Sequence, residues 1–263
     1  MKVQGKTVVV TGAGSGMGRQ LVLELVSRGA KVAAVDMREE TLEETKSLAK
    51  GEVATFVIDI TDAAAVAALP SQVAGALGEA DVLINNAGII QPFVKVNELS
   101  MEAANRVMNV NFNGPLMLIK AFLPGLLTRP EAHILNVSSM GAYAPVPGQS
   151  VYGASKAAIK LLTEGLRSEL LTTKVGVTVV FPGAIATNIA QNSGLAIPAD
   201  AAENSKQKTT PADVAAKAMI DAIESGKPRI TIGSDATLMD RLSRLNPVFA
   251  ANLIYKQMAN LLG

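Results

Sequence analysis

Short runs of Val, Ile and Ala recur along the chain, at Thr7–Thr11, Lys31–Asp36, Val53–Ile58, Asp81–Ile84, His133–Val137, Val175–Phe181 and Arg229–Ile232. Each is continuously apolar rather than alternating, the mark of strands buried on both faces. Between them, apolar positions at helical spacing predict helices over Met17–Arg28, Glu39–Lys50, Asp62–Leu77, Ser100–Leu127, Val151–Leu171 and Pro211–Ser225. Asp62 after Thr61 is placed to cap its helix, and Pro211 suits a first turn. Such alternation predicts an α/β architecture, a three-layer doubly wound parallel sheet of about seven strands with helices on both faces. No repeat, composition break or Pro/Ser-rich linker divides residues 1–263, which read as one domain.

Two stretches depart from this rhythm. Residues 187–209 are polar, contain Gly194 and Pro198, and lack a clean period. A segment of that length inside a compact domain is expected to be functional, here a substrate lid. The tail, residues 235–262, carries apolar positions at helical spacing with Arg241, Arg244 and Lys256 on the other side. It is expected to pack on the core or on another subunit rather than on a membrane surface.

Composition narrows the chemistry. The 263 residues are 49% hydrophobic, and 24 Lys+Arg balance 23 Asp+Glu, so there is enough chain for a core but no basic field for nucleic acid. Cysteine is absent and His133 is the one histidine, which excludes thiolate zinc, a cysteine nucleophile and a histidine metal cluster. No metal is expected. No run approaches the roughly 18 apolar residues of a membrane span, and Met1–Lys6 is polar, so a cytoplasmic protein acting on a small molecule is expected. His133, at the threshold of its strand, reads as surface or edge structure.

The first strand runs into Thr11-Gly12-Ala13-Gly14-Ser15-Gly16-Met17-Gly18 and then directly into a helix. The spacing is Gly-x-x-x-Gly-x-Gly. Gly12 would make the tight turn, Gly16 would let backbone approach a pyrophosphate, and Gly18 would let the helix pack closely, with the helix N-terminus offering partial positive charge. Ser15 and Met17 within the turn count as further cofactor contacts. The second strand ends in Asp36, eighteen residues after Gly18, where a carboxylate can accept from adenosine ribose hydroxyls and repel a 2′-phosphate. NAD is therefore expected over NADP, with Arg38 the dissenting feature. Asp59, with Ile60 beside it, ends the third strand; it could bind the adenine amino group or simply cap the next turn.

Further motifs follow in order: Asn85-Asn86-Ala87-Gly88 after the fourth strand, Asn111 in the long helix, Ser139 after the fifth strand, Tyr152-Gly-Ala-Ser-Lys156, and Pro182-Gly183 with Thr187. Together with the glycine turn they span residues 7 to 187, and on them the chain resembles the short-chain dehydrogenase/reductase family, in its compact single-domain (Rossmann) branch. Tyr152 lies thirteen residues after Ser139, the separation the family uses. Tyr152 and Lys156 are four apart on one predicted helix face, so an ammonium beside a phenol would lower the tyrosine pKa from about 10 and make an acid/base. Ser139 sits beyond a strand end, where its hydroxyl can donate to a carbonyl or developing alkoxide oxygen, with Ser138 as its rival.

The resemblance implies further roles. Asn111 would perturb its helix and hold a water linking Lys156 to solvent, while Lys156 would also bind the nicotinamide ribose. Asn86, Ala87 and Gly88 would lie on the cofactor ribose, and Pro182, Gly183 and Thr187 on the nicotinamide carboxamide. Asn85 is assigned to the strand end. The face of Ser100–Leu127 and the Val151–Leu171 helix would form a homodimer or homotetramer interface. The expected reaction is interconversion of a secondary alcohol and a ketone. The candidates for the pocket (Met140, Ala142, Gln91, Pro92, Phe93, Val146, Gln149 and the lid) are mostly apolar and suggest an uncharged, fairly hydrophobic substrate, with Lys206 and Lys208 of the lid dissenting. A non-enzymatic dinucleotide sensor and an extended-type epimerase or dehydratase are the rival readings.

Overall fold

The computed structural model describes residues 1–187, 189–194 and 209–258. Seven parallel strands form one sheet: β1 (Thr7–Thr11), β2 (Lys31–Asp36), β3 (Val53–Val57), β4 (Val82–Asn85), β5 (Ala132–Val137), β6 (Val175–Pro182) and β7 (Arg229–Ile232). Their order is β3-β2-β1-β4-β5-β6-β7, so the winding reverses between β1 and β4. Crevices outside strand carboxyl ends at such a reversal are where ligands bind in open α/β sheets.

Helices cover both faces, as the continuous apolar strands require. On one side α1 (Gly16–Ser27), α2 (Glu39–Leu48) and α8 (Ala212–Ser225) bury Leu21, Leu25, Leu42, Met219 and Ile220 against Val8, Val10 and Val32. On the other, α3 (Ala63–Leu77), α5 (Gly114–Leu126) and α6 (Ser150–Glu169) bury Leu69, Leu118, Phe122 and Leu166 against Val9, Leu83 and Ile134. Asp62 caps α3 by accepting from the N–H groups of Ala64 and Ala65. Pro211 is the residue before α8 rather than its first member: its φ suits a helix, but its ψ of 145° is extended.

The long helix expected over 100–127 is three pieces. After α4 (Met101–Met108) comes a π turn, Asn109–Asn113, and then α5. The tail forms α9 (Ser234–Leu245) and α10 (Pro247–Met258), which pack Ala236, Met239, Ala250 and Ile254 on Met140 and Ala144. Residues 259–262 of the expected tail lie outside the described residues. So do 188 and 195–208 of the expected lid, Lys206 and Lys208 among them; the described part holds one helical turn, α7 (Ile189–Asn192).

His133 corrects the sequence reading. It lies inside β5, 3% exposed, on Thr178 of β6 at 2.8 Å.

Candidate active site

A cavity of about 780 Å³ opens at the carboxyl ends of β1, β2 and β4, within the range of ligand sites. Gly12, Ser15, Gly16, Met17, Gly18, Asp36, Asp59, Ile60, Asn86, Ala87, Gly88 and Thr187 all line it. Gly12 turns at φ +67, a left-handed conformation suited to glycine. A Cβ on Gly18 would fall 1.8 Å from the Gly12 carbonyl oxygen, so only glycine lets the helix start this close to the turn. Asp36 accepts from the N–H groups of Gly14 and Arg38, at 3.0 and 3.2 Å. Asp59 accepts from the Thr61 N–H and hydroxyl, so it fastens its turn while also forming wall.

The residues present fit a dinucleotide. Gly16, at φ +51 in the cavity wall, leaves bare backbone for a close approach at the N-terminus of α1. Asn86 donates through Nδ2 to the Thr11 carbonyl at 2.9 Å, and among the described residues its buried Oδ1 has no hydrogen-bond partner.

Beyond β5, Tyr152, Ser139, Lys156 and Asn111 come together. Gln91, in the loop after β4, places the tyrosine: its Oε1 accepts from the N–H groups of Val151 and Tyr152, capping α6 from a distance. Its Nε2 donates to Gly148 O, and Gln149 donates to Gln91 O. Both glutamines are buried in this network, which corrects their assignment to the substrate wall.

Of the two serines, Ser138 is buried and donates to the Lys156 carbonyl at 2.7 Å. Ser139 accepts from Gly141 N–H, and Gly141 abuts the Tyr152 ring. Lys156 donates from Nζ to Val137 O at 3.0 Å and stands 5.9 Å from the ring centroid of Tyr152. Burial pushes its amine down to about 8. The tyrosine departs from expectation: burial raises its phenol pKa, and the hydrogen bond with Ser139 pulls the other way.

Asn111 is buried in the π turn. Its Oδ1 accepts from Ile89 N at 2.9 Å, and its Nδ2 donates to Ile89 O and to Ser155 Oγ. Asn111 thereby clamps the loop after β4 to α6. A Cβ on Gly88 would sit 3.1 Å from Lys156 Nζ and 3.2 Å from Asn111 Oδ1, so this loop also joins the cavity to the lysine. Asn85 donates to Asn136, a strand-end role as expected.

Pro182 ends β6 and Gly183 donates to Ile232 O, while Thr187 closes over Gly16, 3.3 Å from where a Cβ would stand. The sequence reading missed Asp235. Its Oδ2 accepts from Ala184 N at 2.8 Å, and its carboxylate fills the space a Gly183 side chain would need.

A family model described as short chain dehydrogenase matches residues 6–197. The chain belongs to the short-chain dehydrogenase/reductase family. Among curated relatives, the oxidoreductase SadH of Mycobacterium tuberculosis is 35% identical over 252 residues, covering 92% of this chain and 91% of its own. Among solved structures, a family member from Burkholderia phymatum in complex with NAD has a TM-score of 0.84 at 28% identity, covering 94% of this chain and 98% of that one. Another, from Burkholderia cenocepacia in complex with NADP, has a TM-score of 0.82 at 31% identity, covering 97% and 99%. This dehydrogenase is an NAD(P)-dependent oxidoreductase acting on CH–OH or C=O groups. Among its described residues no helix is long and apolar enough to cross a membrane.

Proposed function

We propose that this dehydrogenase interconverts a secondary alcohol and a ketone with NAD, using Tyr152 as the proton carrier. The observation that carries the reading is the gathering of Tyr152, Ser139, Lys156 and Asn111 beside the glycine-lined cavity. The nicotinamide, when bound, accepts or returns the hydride. Gly12, Gly16, Gly18 and Asn86 would hold the dinucleotide, and Pro182, Gly183 and Thr187 would meet its nicotinamide end.

The chain's own groups manage the proton. In oxidation the Tyr152 oxygen takes the hydroxyl proton of the substrate; in reduction it gives one to the carbonyl oxygen. Ser139 donates to that same substrate oxygen and favours its charged form. The Lys156 ammonium favours phenolate against the burial that opposes it, and an amine pushed down to about 8 still carries its charge at neutral pH. Asp36, in the cavity wall at the end of β2, supports NAD over NADP, because its carboxylate repels a 2′-phosphate. Of the expected wall, half-buried Val146 and exposed Phe93 support an uncharged substrate, while Met140 is buried under α9 and α10. We also infer a homodimer or homotetramer joined through one face of residues 100–127, which hold α4 and α5, together with α6.

The test is a panel of alcohols and ketones with each dinucleotide, run beside Tyr152→Phe. Loss of proton transfer lowers kcat/KM on the best substrate by about 10²- to 10⁴-fold. Equal turnover by wild type and variant overturns the mechanism.

A further inference from the structure

Asn192, in the single turn α7, ties together two walls of the dinucleotide cavity. Its Nδ2 donates to Ser15 Oγ in the glycine turn at 2.9 Å. Its Oδ1 accepts from Arg38 Nη2, beyond the end of β2, at 3.0 Å. Ser193 beside it accepts the Ile90 N–H on its hydroxyl at 2.9 Å, and Arg106 of α4 donates to its carbonyl at 3.2 Å. The segment is thus fastened over the cavity at four points, three of them through side chains that line it: Ser15, Arg38 and Arg106.

Arg38 is the one of these with a second possible occupation. It follows Asp36 by two residues and is the cation beside the position where the adenosine ribose would be read. An arginine there can take a 2′-phosphate, and guanidinium holds phosphate best as a two-pronged fork. Either fork, through Nε and Nη2 or through both Nη atoms, uses one of the two hydrogens on Nη2, so the bond to Asn192 takes one fork and tethers the guanidinium against a phosphate approaching the other.

We propose that Asn192 sets dinucleotide choice by competing for Arg38. With a 2′-hydroxyl on the ribose, Arg38 stays on Asn192 and the segment keeps all four anchors. A 2′-phosphate draws Arg38 away, and the segment loses one. Asp36 discriminates by repulsion and Asn192 by competition, so the two devices are separable. The inference rests on the NAD reading above for its direction, while the coupling between Arg38 and Asn192 is measured independently.

Calorimetric titration of NAD and NADP into wild type, Asn192→Ala, Arg38→Ala and the double variant tests this. Asn192→Ala removes two hydrogen bonds, to Ser15 and from Arg38, so it weakens NAD by about 5- to 30-fold, and it tightens NADP, because Arg38 is released. Adding Arg38→Ala to Asn192→Ala then weakens NADP and leaves NAD unchanged. Asn192→Asp, which holds the guanidinium more strongly, widens the preference for NAD. Equal fold-changes for both dinucleotides in Asn192→Ala, or effects of the two substitutions on NAD that simply multiply, overturn the proposal. Wild type preferring NADP overturns the Asp36 reading instead, and the competition is still decided by the variant ratios.

Discussion

His133 lies with its Nε2 2.8 Å from Thr178 Oγ1, while that hydroxyl gives its single proton to Lys227 O at 2.7 Å. The imidazole must therefore donate, which assigns the neutral ring its proton on Nε2. Burial, together with the positive N-terminus, pushes its pKa down to about 4 from the usual 6.5. The unfolded chain consequently binds more protons than the folded one between those values, so stability rises as pH climbs from about 4 to 6.5 and falls on acidification. A shift of that size corresponds to roughly 3 kcal/mol. Urea unfolding of wild type at pH 4 and pH 7 should show a loss of that order beyond the loss in His133→Gln, which has no imidazole to charge; equal pH sensitivity in the two proteins would contradict the assignment. None of this was legible in the sequence. A histidine at the threshold of a strand has the same neighbours in the chain whether it faces solvent or Thr178, forty-five residues away.

Elements divide along the same line between local and distant causes. The strands and most helices follow from local periodicity, and Asp62 and the glycine turn act as their spacing indicates. Periodicity alone does not give the π turn; the resemblance implied a perturbation of the helix at Asn111, and bonds from Asn111 to Ile89 and Ser155 hold it. Gln91 and Gln149 looked like wall because they flank motif segments, yet their partners are backbone groups some sixty residues away. Asp235 is another distant cause, a first-turn acid of α9 that moors the strand-end segment after β6. Removing it in Asp235→Ala should raise KM for the dinucleotide about tenfold, the scale of a hydrogen bond to a charged group, with a smaller change in kcat. Asp235→Asn keeps an acceptor and should recover most of the affinity. Steady-state kinetics showing both constants changed alike, without rescue, would make Asp235 merely structural.

At the scale of the whole molecule, the two rims of the sheet have different tasks. The carboxyl ends of the strands carry the cavity and Tyr152. The amino ends are joined by buried Asp81, which accepts from Thr7 N and Arg129 Nε and lies 3.7 Å from Lys6. The proposed assembly would use neither rim: α4 and α6 leave Met101 and Leu161 at 71% and 68% exposure, apolar surface suited to a second copy. Sedimentation should give a species heavier than the 27.3 kDa chain, and Leu161→Asp should shift it toward monomer; monomer alone at micromolar concentration would remove the interface. The division between rims also bears on handling. Lys2, whose side chain is 79% exposed and paired with Glu224 at the end of α8, lies on the rim away from the cavity. An enzyme immobilised on a solid support through that amine would face its cavity toward the liquid, leaving cofactor and substrate free to exchange.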